Sequence, residues 1–217
     1  MIKKLLLTLI FTLIISSFSY AQIINAYGIK IGTTLSNQSW NQKYSLYGTG
    51  GINPDNRFGI NLGTYAEFLN LPFWGIITEL NYNQKGMKFT APLTTLDDPD
   101  GSSGKTKTVL NRIDYISFAI KGKFKFNMSA LRPYIFAGPR IDIYINKKVD
   151  QSFNVIYDNS KNQIYGLSVG FGSELNNKLP VDLLVELQYN YDFTLAFESG
   201  LYEIKNKSFD FKIGIKL

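Results

Sequence analysis

Apolar and polar side chains alternate along most of this chain, and the stretch "VDLLVELQYNYDF" from Val181 to Phe193 shows it clearly. Val181, Leu183, Val185, Leu187, Tyr189 and Tyr191 fall on one face, with Asp182, Leu184, Glu186, Gln188, Asn190 and Asp192 on the other. A period of two is the signature of a strand with two unlike faces. The same test on "AYGIKIGTTLS" puts Tyr27, Ile29, Ile31 and Leu35 opposite Gly28, Lys30, Gly32, Thr34 and Ser36. Applied throughout, it predicts eight strands near 26–36, 58–69, 74–89, 110–126, 132–147, 162–175, 181–193 and 205–217. No amphipathic helix of useful length competes, and glycine with β-branched and aromatic residues dominates the segments. The expected class is all-β and antiparallel.

The connections are unequal in a regular way. Those at 71–73, 127–131 and 176–180 are short, while those near 37–57, 90–109, 148–161 and 194–204 are long, and the two kinds alternate. Successive turns of an antiparallel sheet lie at opposite ends, so one end carries tight turns and the other long polar loops. That asymmetry belongs to up-and-down barrels of outer membranes.

Glycine placement then distinguishes the faces. Gly28, Gly32, Gly59, Gly63, Gly138, Gly166, Gly170, Gly172 and Gly214 lie on the polar face, and Gly122 alone is clearly on the apolar one. Strand glycine weakens a sheet unless something approaches closely, so the polar face is expected to line a narrow interior, leaving room for Tyr65, Arg140 and Tyr144. On the apolar face, Tyr27, Phe68, Trp74, Phe124 and Phe126 lie near the short-turn end and Phe58, Tyr82, Tyr165, Tyr189 and Tyr191 near the long-loop end. Two aromatic girdles around an aliphatic band suit a lipid-facing wall. The competing arrangement is a soluble periplasmic lipocalin-like carrier with its apolar groups inward.

The inward set then holds Lys30, Glu67, Glu79, Lys121, Lys123, Arg140, Asp142, Glu174, Glu186, Asp210 and Lys212. Isolated charge in so tight a space is costly, so these residues are expected to pair into a plug. A narrow charged path for ions or small solutes is the alternative, although eight strands leave an interior just wide enough for side chains.

Composition adds limits. Residues 1–21, "MIKKLLLTLIFTLIISSFSYA", combine Lys3 and Lys4 with a short apolar run and Ser19-Tyr20-Ala21, the pattern of a signal peptide cleaved near Ala21. Residues 22–217 are then one barrel domain. Without Lys3 and Lys4, 21 basic residues face 17 acidic ones, with no basic run, which gives no case for nucleic acid. There is no Cys, hence no disulfide framework, and no His, which removes Ser-His-Asp and Cys-His sites and His-based zinc. The lumenal carboxylates are expected to be salt-bridged, not catalytic. In "LDDPDGSSG", Asp97, Asp98 and Asp100 resemble part of a calcium loop without its distal Glu, and "GTGGINPDN" precedes a strand, so it is a turn and no phosphate cradle. No enzyme activity, cofactor or metal is expected. Trp40, Tyr44, Tyr47 and Phe153 make the long loops aromatic enough to touch a partner, or else extend the strands.

Several segments together resemble the PorT-like outer-membrane β-barrel family: "YGIKIGTTLSN", "ELNYNQKGMKF", "RIDYISFAIKGKFKF", "RPYIFAGPRIDIYI", "GLSVGFGSEL", "LLVELQYNYDF" and "FDFKIGIKL". The resemblance covers nearly all of the expected mature chain, with "PYIFAGP" its most specific piece. It implies an eight-stranded barrel in the outer membrane of a Gram-negative cell, in a family named for a member linked to secretion and surface motility. Such barrels often end in an aromatic residue, whereas this sequence ends "IKL" with Phe211 and Leu217 on the outward face, and no peptidoglycan-binding domain is expected. The expected partners are outer-membrane lipid, the barrel-assembly machinery during biogenesis and an envelope protein reached through the long loops, with the barrel itself a monomer.

Overall fold

The computed structural model describes residues 24–43, 53–69, 71–93, 99, 103–126, 131–175 and 182–217. The expected signal peptide, Tyr44, Tyr47, Asp97, Asp98, Asp100 and the turns at 127–130 and 176–180 lie outside the described residues. The strands are β1 (Ile24–Gln42), β2 (Arg57–Phe68), β3 (Trp74–Pro92), β4 (Thr106–Lys125), β5 (Leu131–Lys148), β6 (Gln163–Leu175), β7 (Asp182–Asp192), β8 (Phe197–Glu198) and β9 (Tyr202–Lys216).

Each long strand pairs antiparallel with the next, and β1 pairs with both β2 and β9, so the eight long strands close into a ring. Closure gives each of the eight long strands a partner on both sides. The two-residue β8 is an addition to the expected eight; it pairs with β9, Phe197 opposite Ile204, and Phe197 also bridges Ser160.

The strands are also longer at one end than the alternation suggests. A bilayer needs about 9–11 residues of tilted strand, which β2 and β7 supply with 12 and 11 residues. β1, β3, β4 and β5 run 18 to 20 residues. Their surplus projects at the long-loop end, where Pro92 pairs with Thr106 and Gln42 with Tyr202. Between β4 and β5 a bulge after Asp114 leaves Ile145 without an opposite residue.

The facing follows the period of two. Ile29, Ile31, Leu62, Leu80, Phe118, Ile120, Val169 and Ile213 are exposed on the outside, whereas Lys30, Glu79, Lys121, Glu186 and Lys212 are buried within. An apolar wall around a polar interior is the reverse of a lipocalin-like carrier, and that alternative is overturned. Inward glycines make the interior possible. A Cβ at Gly28 would lie 1.9 Å from the Ile215 carbonyl oxygen and 2.8 Å from the Tyr65 ring, and one at Gly166 would lie 2.8 Å from Arg140 Nη2. Outward Gly122 has room, its nearest neighbour being 3.9 Å away. Tyr144, however, takes no glycine niche; it packs against an aromatic cluster at the long-loop end.

Candidate functional site

The interior is the most unusual chemistry in the molecule. Because side chains two residues apart on a strand point the same way, each strand delivers a column of polar groups inward, and the columns meet in three layers.

Nearest the short turns, Lys123 binds Glu174 and lies 3.2 Å from Glu67, while Lys216 reaches Glu174 at 3.0 Å. In the middle layer Glu79 receives Lys30 at 2.6 Å, Lys121 at 2.7 Å and Lys212 at 3.1 Å. Lys30 also binds Glu186 at 2.7 Å, and the Tyr134 hydroxyl donates to the same carboxylate at 2.7 Å. Lys121 and Lys212 share Gln188 Oε1 at 2.8 and 3.1 Å. Toward the long loops Lys85 meets Asp142 at 2.6 Å, and Arg140 bridges Asp142 and Asp192. Rings complete the enclosure: Lys30, Lys121 and Lys123 stand 4.5, 4.4 and 4.2 Å from the centroids of Tyr65, Phe136 and Tyr134. A cation over an aromatic face keeps part of the stabilisation it loses on leaving water.

Ten of the eleven inward charges named from the sequence therefore lie in ion pairs with one another or with Lys85 and Asp192. Asp210 is the exception, held by the amides of Asn61 and Asn190 at 3.0 and 2.8 Å. Lys85 and Asp192 were missed, although their parity is that of Glu79 and Glu186 on the same strands. The ten girdle aromatics all face outward, none of them buried. Outside, between Trp74, Phe124, Tyr189 and Phe209, the small residues Gly122 and Ala137 floor an apolar groove of about 770 Å³.

Above the third layer the connections at 148–161 and 194–204 cover the barrel. A turn of 3₁₀ helix at Gln151–Phe153 runs into one α-helical turn, Asn154–Tyr157. Its aromatics enter a cluster with Met87, Val109, Ile113, Tyr115, Ile164, Phe197 and Ile204. Trp40 packs edge-on against Phe153, Tyr157 and Tyr202 at 5.4 to 6.0 Å. Trp40 and Phe153 thus face the interior of this lid. The lid is fastened by polar contacts: the Tyr157 hydroxyl to Gln38, Lys147 Nζ to the Tyr157 carbonyl at 2.6 Å, and the Asp150 amide to Asn111 at 3.0 Å. Ser152 donates from its side chain and backbone to Asp150, and with Lys107 nearby these hold the Asp150 carboxyl down to about 2.

The family model described as an outer membrane protein beta-barrel domain matches residues 19–198. The chain belongs to this family. Among solved structures, OprG from Pseudomonas aeruginosa is similar with a TM-score of 0.51 at 13% identity, over 90% of this chain and 97% of OprG. Neisserial surface protein A gives 0.47 at 12% identity over 88% and 97%, and Escherichia coli outer membrane protein W gives 0.43 at 13% over 91% and 100%. The OprG likeness speaks to fold, and the lower scores carry no argument. No curated protein matches the chain by sequence. The protein is a small β-barrel of the outer membrane of a Gram-negative envelope. No helix among the described residues is long and apolar enough to cross a membrane, and the crossing is made by strands. In such barrels the short turns face the periplasm and the long loops the exterior.

Proposed function

We propose that this barrel is a non-enzymatic structural or interaction protein of the envelope, PorT-like within its family, which engages a partner through its extracellular cap in secretion or envelope assembly. The observation that carries the reading is the closed interior: three layers of ion pairs beneath an aromatic lid leave the cap and the outer wall as the surfaces through which it acts. The cap also presents apolar groups to the exterior, Val155 at 82% exposure and Leu201 at 51%. A photo-cross-linker at Val155 or Leu201, in cells, should yield one discrete adduct. Absence of any adduct from both positions, with assembled barrel present, overturns the reading.

A narrow channel is the second reading, favoured by the run of charges through the lumen. It requires water to thread all three layers, and conductance decides it.

A further inference from the structure

One carboxylate in the lumen differs from the rest. Glu67, Glu79, Asp142, Glu174, Glu186 and Asp192 each have a lysine or arginine within 4.0 Å. Asp210, 1% exposed, has no basic partner among the described residues. Its contacts are Asn61 Nδ2 at 3.0 Å, Asn190 Nδ2 at 2.8 Å and Ser208 Oγ at 3.4 Å. Lys212, two residues along β9, is engaged by Glu79 and Gln188. A buried carboxylate answered only by neutral groups is unfavourable.

The neighbouring side chains sharpen the anomaly. Thr34, directly opposite Asp210 across β1 and β9, is fully buried and its hydroxyl has no partner. Asn61 turns its amide nitrogen to Asp210 and leaves its own Oδ1 unpartnered. Asn83, opposite Asn61 across β2 and β3, gives its amide to Ser117 at 2.7 Å and also leaves Oδ1 unpartnered. A carbonyl oxygen only accepts, so the amide oxygens of Asn61, which touches Asp210, and of Asn83, its opposite residue on β3, lack a donor while the carboxylate lacks a cation. Buried polar atoms of this kind are normally satisfied by something.

We propose that the Asp210 layer holds one monovalent cation of sodium or potassium size, with Asp210 as its charged ligand and Thr34, Asn61 and Asn83 as neutral oxygen donors. Oxygen-only ligation selects a hard cation, and a single carboxylate among neutral oxygens matches one positive charge, whereas calcium sites recruit more carboxylate and more ligands. Overall charge does not single out Asp210: with Lys216, which reaches Glu67 and Glu174, seven bases face the seven carboxylates named above, so what Asp210 lacks is a cation placed beside it. The site departs from the sequence expectation of no metal, which considered only His and Asp-rich motifs. It rests on the closed lumen, which keeps bulk water from supplying the missing donors.

The test is urea unfolding of the full chain in detergent micelles, with NaCl or KCl replacing N-methylglucamine chloride at constant ionic strength. Once the alkali cation exceeds its dissociation constant, each tenfold rise should raise the folded-to-unfolded ratio about tenfold. Asp210→Asn should abolish the response. Thr34→Val, which keeps the carboxylate and the side-chain volume, should move it to higher concentration and decides the matter if Asp210→Asn does not fold. Indifference of the wild type to the alkali cation, a response to calcium alone, or an unchanged response in both variants overturns the site. Conductance through wild-type barrel would instead overturn the closed-lumen reading, so the two failures are distinguishable.

Discussion

Glu79 is where the plug is most vulnerable. It is 1% exposed and binds three ammonium groups, Lys30, Lys121 and Lys212, at 2.6, 2.7 and 3.1 Å. With an effective dielectric of ~20, each contact is a gross attraction of about 6 kcal/mol, most of it offset by desolvation and by repulsion among the lysines. Glu79→Gln preserves shape while leaving three buried cations to Glu186 and Gln188, and breaking a buried pair from one side costs about 3–5 kcal/mol. The assay is urea unfolding in micelles followed by tryptophan fluorescence, since the chain has two tryptophans, Trp40 in the lid and Trp74 in the lower girdle. With a denaturant slope of ~2 kcal/mol per molar, the midpoint should fall by about 2 M. Adding Lys121→Met removes one stranded cation and should recover at least ~1 kcal/mol. A Glu79→Gln midpoint within about 0.3 M of wild type would refute the reasoning, because it would mean that water already solvates the layer.

Other consequences are equally direct. Val185→Arg puts a charge on the lipid face and should destabilise the inserted barrel by about 2–4 kcal/mol, seen as loss of the heat-modifiable gel species. Gly28→Val should prevent assembly, since even a Cβ meets the Ile215 carbonyl at 1.9 Å, while Gly122→Ala on the open outer face should stay within about 0.5 kcal/mol of wild type. Asp150 is held down to about 2 from 3.8 by Ser152 and Lys107; a depressed carboxyl contributes stability above its unfolded value that is lost as pH falls through the folded one. The lid should therefore loosen between pH ~4 and ~2, reported by Trp40 in a Trp74→Phe background, and Asp150→Asn should flatten that response.

How far the fold was legible depends on distance along the chain. Strand parity is local, so Glu186 and Val185 could be assigned opposite faces from their neighbours alone, and the alternation of loop lengths supplied the barrel ends. Pairing is not local: Lys30 and Glu186 are 156 residues apart, and their contact depends on ring closure through β1 and β9. The lid was hidden for a related reason. Phe153, Tyr157 and Phe197 lie in stretches without a period of two, and what buries them is Trp40, Met87 and Ile204 on three separate strands. Lys85 and Asp192 were legible by parity and overlooked near strand ends, where the projecting β3 carries the lumen beyond its expected reach.

The central claim is that the lumen is closed, and planar-bilayer conductance of the purified, refolded barrel tests it most directly. Wild type should insert without stepwise current, and so should Tyr157→Ala, which loosens the lid but leaves three layers of ion pairs below it. Reproducible unitary steps in the wild type, altered by Arg140→Ala, would contradict the closed plug and establish the barrel as a channel.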